Sequence, residues 1–67
     1  VDVIVKNRDI HGLALCNLRL PKDIIILSIS RDKQMIISHG YTRLRVGDMV
    51  TMVGSVESLE AARLLFE

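Results

Sequence analysis

Few side chains in this sequence could carry chemistry, and their spacing limits what that chemistry could be. Cys16 and His11, five residues apart, form the one conceivable nucleophile–base pair. A nucleophile of this kind needs a base oriented beside it. Cys16 instead lies between Leu15 and Asn17 in a leucine-rich stretch, where a free cysteine behaves as a small hydrophobe and is expected inside the apolar stripe. As the only cysteine it cannot form an internal disulfide. Together with His11 and His39 it does not supply the close ligand pairs of a structural zinc site. Gly47-Asp48 has a single glycine and no following Lys-Ser/Thr, so it is no phosphate loop. It reads as a tight turn in which Gly47 takes a positive φ and Asp48 caps the turn backbone. His39 beside Gly40 is either an exposed loop histidine or a ligand-binding or pH-sensing one. Arg31 closes an apolar strand, either as an exposed turn residue or placed to bind an anion or carboxylate across a subunit interface. Arg43 and Arg45 straddle Leu44 and read as a solvated edge, and Arg19 alternates with Leu18 and Leu20 and points away from the core. No catalytic group, metal ligand or cofactor site is expected, and the chain does not read as an enzyme.

The elements that hold these residues follow from pattern and punctuation. Val1, Val3 and Val5 alternate with Asp2 and Ile4, a strand signature. His11 to Leu18, with Leu13, Leu15 and Leu18 on one side, predicts a short helix that Pro21 prevents from continuing. Ile24 to Ser30 is the clearest strand, and its face of Ile25, Leu27 and Ile29 is wholly apolar, which predicts burial on both faces in its first half. Arg31 to Gln34 turns the chain, with Asp32 or Lys33 taking a left-handed conformation, and Met35 to Ser38 returns. Met49 to Val53 forms a last strand, and Val56 to Phe66 a helix capped by Ser55. Its stripe is Leu59, Ala62, Leu65 and Phe66. The order β-α-β-β-β-α predicts an α+β fold with a small antiparallel sheet of about four strands.

Composition says what must support such a fold. The chain has 67 residues, 7.5 kDa, so residues 1–67 form a single domain with one core. Burial supplies roughly 100 kcal/mol in a domain of this size, and ordering the chain costs roughly the same. Disulfide and metal being absent from the sequence, a second copy is the expected source of additional stability. The 49% hydrophobic content and mean hydropathy of +0.34 fit apolar surface turned toward a partner. The longest apolar run, Ile24 to Leu27, is far short of the ~20 residues of a membrane span, and no signal peptide is recognisable. A net charge of +1 and only two aromatic residues, Tyr41 and Phe66, give no nucleic-acid footprint. The start at Val1 reads as a piece cut from a longer protein.

The residues Gly12-Leu13, Leu18-Arg19-Leu20-Pro21, Ile24 to Ile29 followed by Ser30-Arg31, Ile36-Ile37, Thr42 to Asp48 and Met49 to Gly54, in this order and with a closing helix, resemble the TrkA C-terminal domain, also called the RCK C-terminal domain. The resemblance spans nearly the whole chain. It implies a cytoplasmic regulatory module of a monovalent cation channel, a potassium uptake system or a cation/proton antiporter. It also implies a homodimer that in some members binds a ligand in the cleft between subunits, and attachment to or association with a membrane transport protein. A purely structural dimerisation module of a transporter, anion and dicarboxylate carriers included, is the alternative. The resemblance further places candidate ligand-binding positions at Arg19, Pro21, Ile25 and Ile26, with Arg31 added from its position on the strand. In the members that bind cyclic di-AMP, two isoleucines stand at Leu15 and Cys16, an Asp at Arg19, an Arg at Pro21 and an Asn at Ile25, so only Ile26 matches. Pro21 and Ile25 can neither meet phosphate nor exchange hydrogen bonds with a base, which argues against that ligand here.

Overall fold

A computed structural model describes all 67 residues. Four strands, β1 (Asp2–Ile4), β2 (Ile25–Arg31), β3 (Gln34–Ile37) and β4 (Met49–Val53), form one antiparallel sheet in the order β1-β4-β2-β3. A single α-helix, α1 (Val56–Phe66), follows β4. The predicted α+β architecture is therefore present, with one correction. The short helix expected over His11–Leu18 is two separate 3-10 turns, Arg8–Ile10 and Leu15–Asn17. Gly12, at φ +84°, lies between them and interrupts any continuous helix.

One face of the sheet is covered. Val3, Val5, Val50, Met52 and Ile29 are fully or almost fully buried, under Ala62 and Phe66 of α1 and under Ile10 and Leu44 from the connecting segments. Ile24, Ile26, Ile36, Leu59 and Leu65 pack around this centre. The last turn of α1 is held to the end of β1. The N–H groups of Lys6 and Asn7 both donate to the Phe66 carbonyl, and Asn7 Nδ2 donates to that of Leu65 at 3.0 Å. Carbonyls that a helix end leaves unpaired are thus satisfied by the link between β1 and the first 3-10 turn.

The second strand departs from simple alternation. Ile26 pairs with Met52, but Ser28, not Leu27, pairs with Thr51, so Leu27 is the extra residue of a β-bulge. The bulge shifts the phase of the strand. Before it, Ile24 and Ile26 pack toward the core; after it, Ile29 does. The expected face of Ile25, Leu27 and Ile29 is consequently divided, with Ile29 buried and Ile25 and Leu27 58% and 52% exposed. The predicted two-sided burial of this strand is overturned for the same reason. The β2–β3 turn is a two-residue one in which both Asp32 and Lys33 have positive φ, 51° and 66°, the combination that matches the twist of a hairpin.

The N-terminus of α1 is capped twice. Ser55 Oγ accepts from the Ser58 N–H at 3.2 Å, as expected of the cap. Asp23, just before β2, accepts from the Ser55 N–H at 3.0 Å through Oδ2 and from the Ser58 hydroxyl through Oδ1. The Ser58 hydroxyl, then the Ser55 N–H and side chain, hold the Asp23 carboxyl at a pKa of about 2. A carboxylate depressed in the folded state stabilises it above the unfolded value and ceases to do so as pH falls through the folded one. Between about pH 4 and pH 2, thermal melts of the chain should therefore lose stability in a step that Asp23→Asn removes; an unchanged acid profile in that variant would show that this cap does not contribute.

Candidate functional site

The uncovered face of the sheet is the most unusual surface of the molecule. Cross-strand pairing places Ile4, Met49 and Ser30 in one row, Ile25 beside Val53, Ser28 opposite Ile37, and Ser30 opposite Met35. Ile37 is 82% exposed and Met35 76%, with Ile25, Leu27, Ile4, Val53 and Met49 also open to solvent. The bulge adds Leu27 to this side. Single exposed apolar residues are ordinary; here several share one sheet face, on either side of a polar row of Asp2, Thr51 and Ser28 in which the Thr51 hydroxyl donates to Asp2 Oδ1. The chain exposes 4721 Å², against on the order of 4,200 Å² expected for a compact monomer of this mass.

The margin of the patch at the end of β3 is the loop His39–Thr42, which is stitched to the second 3-10 turn. The Leu15 N–H donates to the Thr42 carbonyl at 2.9 Å and the Cys16 N–H to that of Gly40 at 2.8 Å, and Ala14 bridges to Arg43. Ser38 Oγ donates to the Ile26 carbonyl at 3.0 Å, fixing the exit of β3 against β2. Tyr41 is exposed at the tip, with its ring tilted against that of His39 at 6.2 Å between centroids. Cys16 is exposed, which corrects its expected place in the apolar stripe: the 3-10 turn directs Leu15 toward the core and Cys16 outward. It does not pair with His11, whose Nδ1 accepts the Val46 N–H at 3.0 Å.

At the opposite end of β2 lies the one ion pair. Arg31 Nε and Nη2 donate to Asp48 Oδ1 and Oδ2 at 2.9 and 2.8 Å, and Nη2 also donates to the Arg43 carbonyl at 2.7 Å. Asp48 is buried and additionally accepts the Arg45 N–H at 2.9 Å, while Gly47 takes φ +99°, so the Gly47-Asp48 turn has the form read from the sequence. Burial pushes the Asp48 carboxyl up, but the Arg31 hydrogen bonds, the Arg45 N–H and the charges of Arg31 and Arg45 outweigh it and hold the group below the usual range. The Asp48 hydrogen bond raises the Arg31 guanidinium in turn.

The residues singled out by sequence do not form one cluster. Ile25 stands on the open apolar face, and Arg19 is exposed without a side-chain partner. Pro21 is half-buried, its carbonyl accepting the Ile24 N–H at 3.1 Å. Ile26 points to the other side of the sheet and packs against the core. Arg31 lies six residues beyond Ile25, roughly 20 Å along the strand, and its guanidinium is committed to Asp48. Arg19 and Pro21 lie in the segment that leads into β2, and of the five only Ile25 is a residue of the open face. Leu27, Met35 and Ile37 belong to that face but were not singled out; the phase change at the bulge has no signature in the sequence, and the alternation of Met35 and Ile37 does not say which side is covered.

A four-stranded antiparallel sheet with one helix-covered face and one open face rich in apolar side chains, closed by an arginine–aspartate clamp, defines a small α+β module. The chain belongs to the TrkA-C domain family, whose sequence pattern matches residues 2–67. It is 33% identical over 63 residues to the Trk system potassium uptake protein TrkA homolog of Archaeoglobus fulgidus, an alignment covering 94% of this chain and 14% of that protein. A protein of Serratia proteamaculans named only for transport is 34% identical over 97% of this chain, which is 12% of its own length. The chain thus spans about an eighth of the curated relatives it matches. Among solved structures, one described as "Structure of RCK domain with cda" superposes with a TM-score of 0.94 at 28% identity, covering 100% of this chain and 96% of that one. The relatives that contain a matching segment are named for potassium uptake and for transport. No helix here is long and apolar enough to cross a membrane.

Proposed function

We propose that residues 1–67 are a single regulatory domain of a longer transport protein, a monovalent cation channel, potassium uptake system or cation/proton antiporter, and that the domain acts on its cytoplasmic side as a homodimer. The observation that carries this reading is the bare apolar face formed by Ile25, Leu27, Met35, Ile37 and Val53. A standard interface of roughly 800 Å² per partner would cover about a sixth of the 4721 Å² that the chain exposes. A two-fold axis through the sheet would set the same face against itself and bring two copies of Arg19, Pro21 and Ile25 to one cleft. A ligand there would bias the attached transport unit by its differential affinity for two orientations of the pair. Pro21 and Ile25 leave that cleft poor in polar groups and favour a ligand other than cyclic di-AMP. The same observation supports a second reading, a dimerisation module without a ligand. Sedimentation velocity of the chain over a dilution series should show a dimer that dissociates reversibly; a monodisperse monomer at every concentration would overturn the dimer and with it the cleft.

A further inference from the structure

We infer that the cleft between the first 3-10 turn and the Arg45–Asp48 turn is a binding site for an oxyanion group of phosphate type, separate from the sheet face and independent of dimer formation. The cleft has a volume of about 320 Å³ and is lined by Arg8, His11 and Val46. This volume lies at the lower end of the range of small-molecule sites. Its two polar lining side chains are both donors. Because His11 Nδ1 accepts the Val46 N–H at 3.0 Å, the proton of the neutral ring is carried by Nε2, which is left without a protein partner. The hydrogen bond thus selects the tautomer and fixes the ring against the turn. The Arg8 guanidinium forms no ion pair and no hydrogen bond within the chain. Arg8 is therefore a planar cation with all its donors free, the side chain best matched to phosphate or carboxylate oxygens.

No carboxylate lines the cleft. Across the Val46-Gly47 turn, a smaller cleft of about 140 Å³ is lined by Arg31, Asp32, Arg45, Val46, Gly47 and Asp48. There Arg31 balances Asp48, and the Arg45 and Asp32 side chains, of opposite charge, form no ion pair. The turn thus separates the Arg8–His11 cleft from a charge-balanced one, and Val46 supplies an apolar wall between them. An anion with a small apolar or aromatic part would meet Arg8 and His11 Nε2–H with its charged end and Val46 with the rest. Nothing in this arrangement involves Ile25, Leu27 or Ile37, so the site would persist in a monomer.

The test is a titration of the isotope-labelled 67-residue chain with inorganic phosphate and with phenyl phosphate at constant ionic strength, chloride serving as the reference anion. Both phosphates should give saturable amide shifts centred on Val46 and His11, with phenyl phosphate the tighter. Arg8→Gln should weaken binding about tenfold or more without altering the remaining spectrum, whereas Lys22→Gln, which removes a charge from another loop, should leave it unchanged. Absence of saturable shifts at Val46 would overturn the site. So would equal weakening by the two substitutions, since that would mean charge screening alone.

Discussion

Asp48→Ala is expected to cost about 3–5 kcal/mol, the range for breaking a buried ion pair by removing one partner. For a domain of this size that is most of the stability. The carboxylate is buried, takes two hydrogen bonds from Arg31 and one from the Arg45 N–H, and so joins the end of β2 to the turn that leads into β4. Its removal leaves the Arg31 guanidinium held at the Arg43 carbonyl with only the more weakly acting Asp32 charge nearby, and the turn without its cap. Asp48→Asn keeps the shape but not the charge and should fall between the two. A combined Arg31→Met and Asp48→Leu replacement removes both charges together and should recover much of the loss. Urea unfolding of the four proteins checks this; if Asp48→Ala retained the wild-type midpoint, the clamp would not be a stabilising element. The sign with pH follows from the depressed carboxyl. Asp48 stabilises the fold above its unfolded pKa, near 4, and this contribution is lost as pH falls through the lower folded value.

The second large effect is on association. Ile37→Glu and Leu27→Glu each place a carboxylate in the apolar sheet face, and in a two-fold dimer every substitution enters twice. Burying a charge without a partner costs roughly 3 kcal/mol or more, which corresponds to at least a hundredfold weaker association. The monomer should tolerate Ile37→Glu, because that side chain is 82% exposed and touches little. Leu64→Glu, at an equally exposed apolar position on α1, is the matched comparison and should leave the dimer intact. If Leu64→Glu dissociated the pair and Ile37→Glu did not, the helix and not the sheet would be the contact surface.

How much of this was legible in the sequence depends on the range over which each feature is determined. Met49–Val53 and Val56–Phe66 match their predicted bounds because strand alternation, Gly54, the Ser55 cap and the helical stripe are local signals. The turn at Gly47-Asp48 was readable for the same reason. Asp48's partner was not, since Arg31 lies seventeen residues away and only the folded sheet brings them together. Leu13, Leu15 and Leu18 imitate a helical stripe, yet Gly12 and the pairing of Ala14 with Arg43 pull that segment into 3-10 turns. Ile25, Leu27 and Ile29 looked like one buried face. A one-residue bulge separates them, and Ile26 and Ile29 on either side of it both pack inward. The residue content of the open face was therefore visible as excess hydrophobicity, while its location was not.

The most direct test of the central claim is an isotope-filtered NOE experiment on a mixture of labelled and unlabelled chains. Intermolecular contacts should connect the methyl groups of Ile25, Leu27, Met35, Ile37 and Val53. Contacts confined to Val56 and Leu64 of α1, or none at a concentration well above any dissociation midpoint, would contradict it.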